Sequence, residues 1–192
     1  MEGHVERDAA PILARHIARE FNFYASIKCE ARRVPKSQLV RPGELERAVE
    51  ALTRQIGRTR PILVLLDADD DCPKNLADSL KARCDARHPD VIVSIVIAMR
   101  EYEGWFLAAA KSLAGQRGLA EKLVPPIDPE SILGAKEWLT AHMSPNECYF
   151  PTRHQSAYSE LMDLSEARAS ISFRKFEREL GRLLGWKTEE GP

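Results

Sequence analysis

Three short acidic clusters hold the residues of this sequence best suited to chemistry. The first is Asp67-Ala68-Asp69, which continues into Asp70 and Asp71 and directly follows the apolar run Ile62–Leu66. An uninterrupted apolar run of that length reads as a parallel strand buried on both faces. Open α/β sheets bind ligands at the carboxyl ends of their strands, and Asp67 falls at such an end. Asp69 lies two residues on, so both carboxylates can turn toward one point. Clustered carboxylates resist ionising together unless a cation offsets them, and hard oxygen ligands suit Mg²⁺ or Mn²⁺. The same residues also fit a solvated turn whose aspartates cap the next helix, and Asp71, just ahead of Pro73, fits that role well.

The second cluster is Glu2-Gly3-His4-Val5-Glu6. Glu2 and Glu6 are four apart, hence on one helix face, where first-turn glutamates are also favoured by the helix dipole alone. The third is Arg100-Glu101-Tyr102-Glu103-Gly104-Trp105, which follows the β-branched run Val91–Ala98. In an extended segment Glu101 and Glu103 share a side. Two adjacent strand ends would then offer four carboxylates to one crevice, with Glu103 facing it and Glu101 more peripheral. A polar loop entering a helix is the other reading of this segment.

The elements that must position these groups follow from periodicity. Apolar residues recur at helical spacing over Glu6–Phe21, and Pro42-Gly43 opens a helix running to about Ile56. Tyr24–Arg33 alternates loosely and reads as a strand. Pro73 stands where a helix begins, Trp105–Leu113 reads as a helix, and Val124–Pro129, with three prolines, as a loop. Ala135–His142 and Phe173–Trp186 read as helices with irregular chain between them. Strand–helix alternation up to about residue 113 predicts an α/β fold, a mostly parallel sheet flanked by helices. The expected organisation is a single domain, residues 1–113 as α/β core and 124–192 as a C-terminal helical extension packed on it.

These elements in this order resemble a known family. Glu2-Gly3, then a strand ending in Asp67-Ala68-Asp69, is similar to the Toprim domain of topoisomerases, primases and OLD-type nucleases. Glu101-Tyr102-Glu103-Gly104-Trp105 and Gly134-Ala135-Lys136-Glu137-Trp138 look like an uncharacterised bacterial family of Toprim-related proteins. The resemblance spans nearly the whole chain. It implies a Toprim-like fold and Mg²⁺-dependent (or Mn²⁺-dependent) cleavage of nucleic acid, DNA or RNA, beside an ATPase partner in bacterial defence. It further implies Glu2 as metal ligand or general acid–base, and Asp67, Asp69, Glu6 and Glu103 as metal ligands, with Glu101 at a neighbouring position. Lys136 would correspond to the late lysine that stabilises charge on the phosphate. One departure stands out. A Toprim domain delivers its glutamate on an apolar strand, whereas Glu2 here directly follows Met1. The expectation is a natural start several residues upstream; the alternatives are a strand supplied from elsewhere, for example by a second copy of the chain in a homo-oligomer, or a mobile Glu2 and an incomplete site.

The remaining residues narrow the field. The five histidines show no metal spacing, and no nucleophile-elbow, Walker or dinucleotide-binding pattern occurs. The four cysteines include no C-x-x-C pair, which argues for reduced thiols. With a net charge of −1 the chain exerts no general attraction on nucleic acid. A local patch or a partner must supply any such affinity; Arg174, Arg178 and Arg182, four apart on the last helix, could track a phosphate backbone, or be a solvated face paired with Glu177 and Glu179. No apolar run reaches the roughly 20 residues of a membrane span, and the N-terminus lacks a secretory pattern, so no membrane role and a cytoplasmic location are expected. Two other functions fit an Asp-x-Asp: a nucleotide or phosphate transferase or phosphatase, and a metal-stabilised, non-enzymatic binding subunit.

Overall fold

The computed structural model describes residues 6–23 and 27–186, with the side chains of residues 6–8 also left aside. Glu2 and its expected strand lie outside the described residues, as does the side chain of Glu6. Helix accounts for 53% of the described residues, which also form one two-stranded parallel sheet, so the fold is mixed α/β with helices dominant.

Strands β1 (Ile62–Asp67) and β2 (Val93–Ala98) pair in parallel with Ile62 opposite Val93 and Asp67 opposite Ala98. Between them runs α4 (Pro73–Arg87), with Pro73 in its first turn, where a missing N–H costs nothing. Every residue of β2 is buried, whereas Leu63, Val64 and Leu65 of β1 are half-buried. The expectation of full burial on both faces therefore holds for β2 and not for β1.

The two faces of β2 feed two apolar clusters, as its period of two dictates. Val93, Ile95 and Ile97 join Ile62 and Leu66 under α3 (Glu44–Ile56) and α4. Val96 and Ala98 join the larger cluster, which takes Leu13 and Ile17 of α1 (Glu6–Glu20), Trp105 and Phe106 of α5 (Gly104–Ala108), and Phe173 and Phe176 of α10 (Ile171–Leu184). Helices from both ends of the chain thus share one core.

Two expectations are corrected. Residues 27–33 adopt no regular structure, and Cys29 is exposed, so that stretch has no apolar face to bury in a sheet. The chain between the two late helices is not irregular. It forms α8 (Pro151–Leu161) and α9 (Leu164–Ala167), in addition to α7 (Ala135–Ala141) before them. Trp105–Leu113 divides into α5 and α6 (Ala110–Leu113). The remaining element before the sheet is the short α2 (Lys36–Leu39).

Candidate functional site

Both strands end in a left-handed residue. Asp69, two residues beyond β1, has φ +51°, and Arg100, two beyond β2, has φ +60°. Such values are uncommon outside glycine and cluster at functional sites. The two exits run side by side: the Ala68 amide donates to the Ala98 carbonyl and the Asp69 amide to the Arg100 carbonyl, each at 2.9 Å. The Asp-x-Asp loop and the Arg100–Glu103 loop are thereby locked together.

Asp67 stands at the end of β1, and its Oδ1 accepts the Tyr102 amide at 2.8 Å. That bond seats the carboxylate beside the residue lying between Glu101 and Glu103. Asp69 and Asp71 turn instead toward Lys36, whose Nζ lies 2.8 Å and 2.9 Å from their carboxylates and 2.5 Å from the Ala68 carbonyl oxygen. Burial would lower the Lys36 pKa, but the two aspartates outweigh it and raise the value. Nothing in the local sequence marks Lys36, since it comes from a separate four-residue helix.

Glu101 and Glu103 do not follow the alternation expected of an extended segment. The segment is not extended: the Gly104 amide donates to the Glu101 carbonyl and the Trp105 amide to that of Tyr102, a tight turn from which both side chains reach Lys136. Glu103 is the enclosed one, 1% exposed, and the Glu101 side chain is the more accessible at 19%. The Glu103 Oε1 accepts from the Tyr149 hydroxyl at 3.0 Å and from Gln155 Nε2 at 3.2 Å. Burial raises the Glu103 pKa, with Lys136 and the Tyr149 hydroxyl opposing.

Lys136 completes the group. Gly134 starts α7 at φ +74°, which glycine adopts without strain. The helix presents Lys136 two residues on, with Nζ 2.6 Å from Glu101 Oε2 and 3.5 Å from Glu103 Oε2. Burial works against its charge, yet Glu103, Glu101 and Asp67 together raise its pKa. Beside it lies a depression of about 330 Å³ lined by Lys136, Glu137, Thr140, Ala141 and Tyr149.

The structure therefore brings Asp67, Glu101, Glu103 and Lys136 to one place, with Asp69 and Asp71 on the adjoining loop. Among the described residues no three His, Cys, Asp or Glu side chains form a ready metal cage. The arginine stripe lies on the exposed face of α10. Arg174 bonds the Arg168 carbonyl, Arg182 pairs with Glu179 at 3.1 Å, and Glu177 pairs with Arg168 rather than with the stripe. Sequence reasoning missed Lys36, Tyr149 and Gln155, each polar and partly or fully buried against a carboxylate.

A family model described as Domain of unknown function (DUF4276) matches residues 1–181. The chain belongs to the DUF4276 family. No curated protein and no solved structure matches it. The model covers both strand exits and Lys136, Tyr149 and Gln155, so the whole group lies within the family's domain. No helix of the described residues is long and apolar enough to cross a membrane.

Proposed function

We propose that this DUF4276 member is a divalent-cation-dependent phosphodiesterase acting on nucleic acid, a nuclease with a Toprim-like arrangement that uses Mg²⁺ or Mn²⁺. The observation that carries the reading is the gathering of acidic side chains and one lysine at two adjoining parallel strand exits, where α/β sheets bind ligands. The donor set fits a hard cation, being all oxygen. Glu103 adds an independent point: its buried Oε2 has no hydrogen-bond partner among the described residues and only a 3.5 Å ion pair with Lys136, which leaves room for a closer ligand.

Asp67, Asp69 and Glu103 would hold the ion, with Glu101 next to them. When bound, such an ion activates water and offsets charge on a phosphodiester. Lys136, kept cationic by its carboxylate neighbours, would neutralise a phosphate oxygen as a point charge. Glu2 as acid–base and Glu6 as a further ligand belong to the proposal on resemblance alone. Arg174, Arg178 and Arg182 offer phosphate contacts, and a partner such as an ATPase would add affinity that a net charge of −1 does not provide.

The test is incubation of the purified chain with plasmid, single-stranded DNA and RNA, in Mg²⁺ or Mn²⁺ and in chelator. Metal-dependent cleavage abolished by Asp67→Asn is expected; no cleavage of any substrate would sink the nuclease reading. A second reading rests on Lys36. Because its ammonium already bridges Asp69 and Asp71, the loop is braced from within the chain, as suits a non-catalytic binding subunit. Cation binding without cleavage would favour it.

A further inference from the structure

Glu103 is anchored by one oxygen only. Tyr149 and Gln155 both donate to Oε1, while Oε2 is left without a hydrogen bond among the described residues, 3.5 Å from Lys136 Nζ. The lysine is 2.6 Å from Glu101 instead. A small rotation of Glu103 would give Oε2 a direct bond to Lys136. At 1% exposure no bulk solvent reaches the carboxylate, so such a bond would relieve an unmet acceptor. Something must oppose that rotation, and the two donors on Oε1 do.

We propose that Tyr149 and Gln155 are positioning residues acting through Glu103: they fix Oε1 and so reserve Oε2 for a divalent cation instead of surrendering it to Lys136. The inference rests on the cation-site reading above and adds to it. The clamp has two origins. Tyr149 precedes α8 and Gln155 sits on it, so residues far along the chain set the geometry at the strand exits. Of the two carboxylate oxygens, Oε1 takes both hydrogen bonds, while Oε2 keeps only the longer 3.5 Å ion pair with Lys136.

Calorimetric titration of the full chain with Mn²⁺ tests this. Tyr149→Phe and Gln155→Met are each expected to weaken binding about tenfold, the scale of one hydrogen bond to a charged group. In a Lys136→Met background the same substitutions should change affinity much less, because Glu103 then has no ammonium to capture. That coupling is what a merely structural role would not produce. Thermal melts establish that each variant folds, and Gln155→Met carries the test if Tyr149→Phe does not. Binding by the wild type with unchanged affinity in the single variants overturns the inference alone, as does an equal loss in both backgrounds. No binding by the wild type overturns the cation-site reading and this inference with it.

Discussion

At the scale of single residues, the site is a contest between fixed cations and the carboxylates they neutralise. Asp67 is bonded to a backbone amide, so Asp67→Ala should remove Mn²⁺ binding in a calorimetric titration; unchanged affinity would count against any cation at this strand end. Lys36 gives a prediction of opposite sign. It competes for Asp69 and Asp71, which are largely exposed at 60% and 59% of their side-chain area. Lys36→Met should therefore raise Mn²⁺ affinity by roughly two- to fivefold, since exposed ion pairs are each worth only about 0.2–1 kcal/mol. A fall in affinity would show instead that Lys36 holds the loop in its binding shape.

Glu130 offers a pH prediction away from the site. Its carboxylate accepts from the Ser170 hydroxyl and from the Ile171 and Ser172 amides at the start of α10. Burial pushes its pKa up, but these donors outweigh it and hold the value below the ordinary glutamate range. The folded state therefore binds this proton less readily than the unfolded chain. The stabilisation is present above the ordinary glutamate value and is lost as pH falls through the lowered one. Glu130→Gln should cost roughly 1–2 kcal/mol at neutral pH, the scale of a helix cap, and flatten the acid limb of stability. Urea melts between pH 3 and 7 would show a parallel shift at every pH if the charge were irrelevant.

At the scale of elements, what the sequence disclosed and what it hid have a common cause. β1, β2 and α3 bury apolar residues at regular spacing, so periodicity finds them. α10 is found for the same reason, with Phe173, Phe176 and Leu180 buried. α8 buries His154, Gln155 and Ser159 beside Tyr158, and three polar residues on an inner face erase the pattern. This missed helix carries a clamp residue, Gln155. The Asp-x-Asp was legible because it closes a strand. The Glu101–Glu103 arrangement was misread because alternation was applied to a stretch that turns. Gly134→Ala tests how far the start of α7 sets Lys136: an alanine at φ +74° should cost about 1–2 kcal/mol. It should also weaken any Lys136-dependent activity, read from the melting temperature and from cleavage.

At the scale of the molecule, the larger cluster joins helices from the early and late parts of the chain. Trp105, following β2, packs edge-on against Phe173 of α10 with ring centroids 5.5 Å apart. Phe173→Ala should cost about 3–5 kcal/mol, and unfolding should remain a single transition in which far-UV and near-UV signals coincide. Two separated transitions would show that residues 1–113 and 124–192 melt independently.

The union of α1 with α8 has a consequence for the chain as it is made. His16 meets the Ser159 carbonyl 143 positions away, and Arg19 meets Glu160. At about 5–20 residues per second, translation takes roughly 7–30 s to supply that partner. Throughout that interval Leu13 and Ile17, both fully enclosed in the finished protein, have no α8 to rest on. A nascent polypeptide whose apolar helix face waits that long for its partner is a natural substrate for ribosome-associated chaperones, and stalled chains ending before residue 150 should be bound by them far more than chains that include α8.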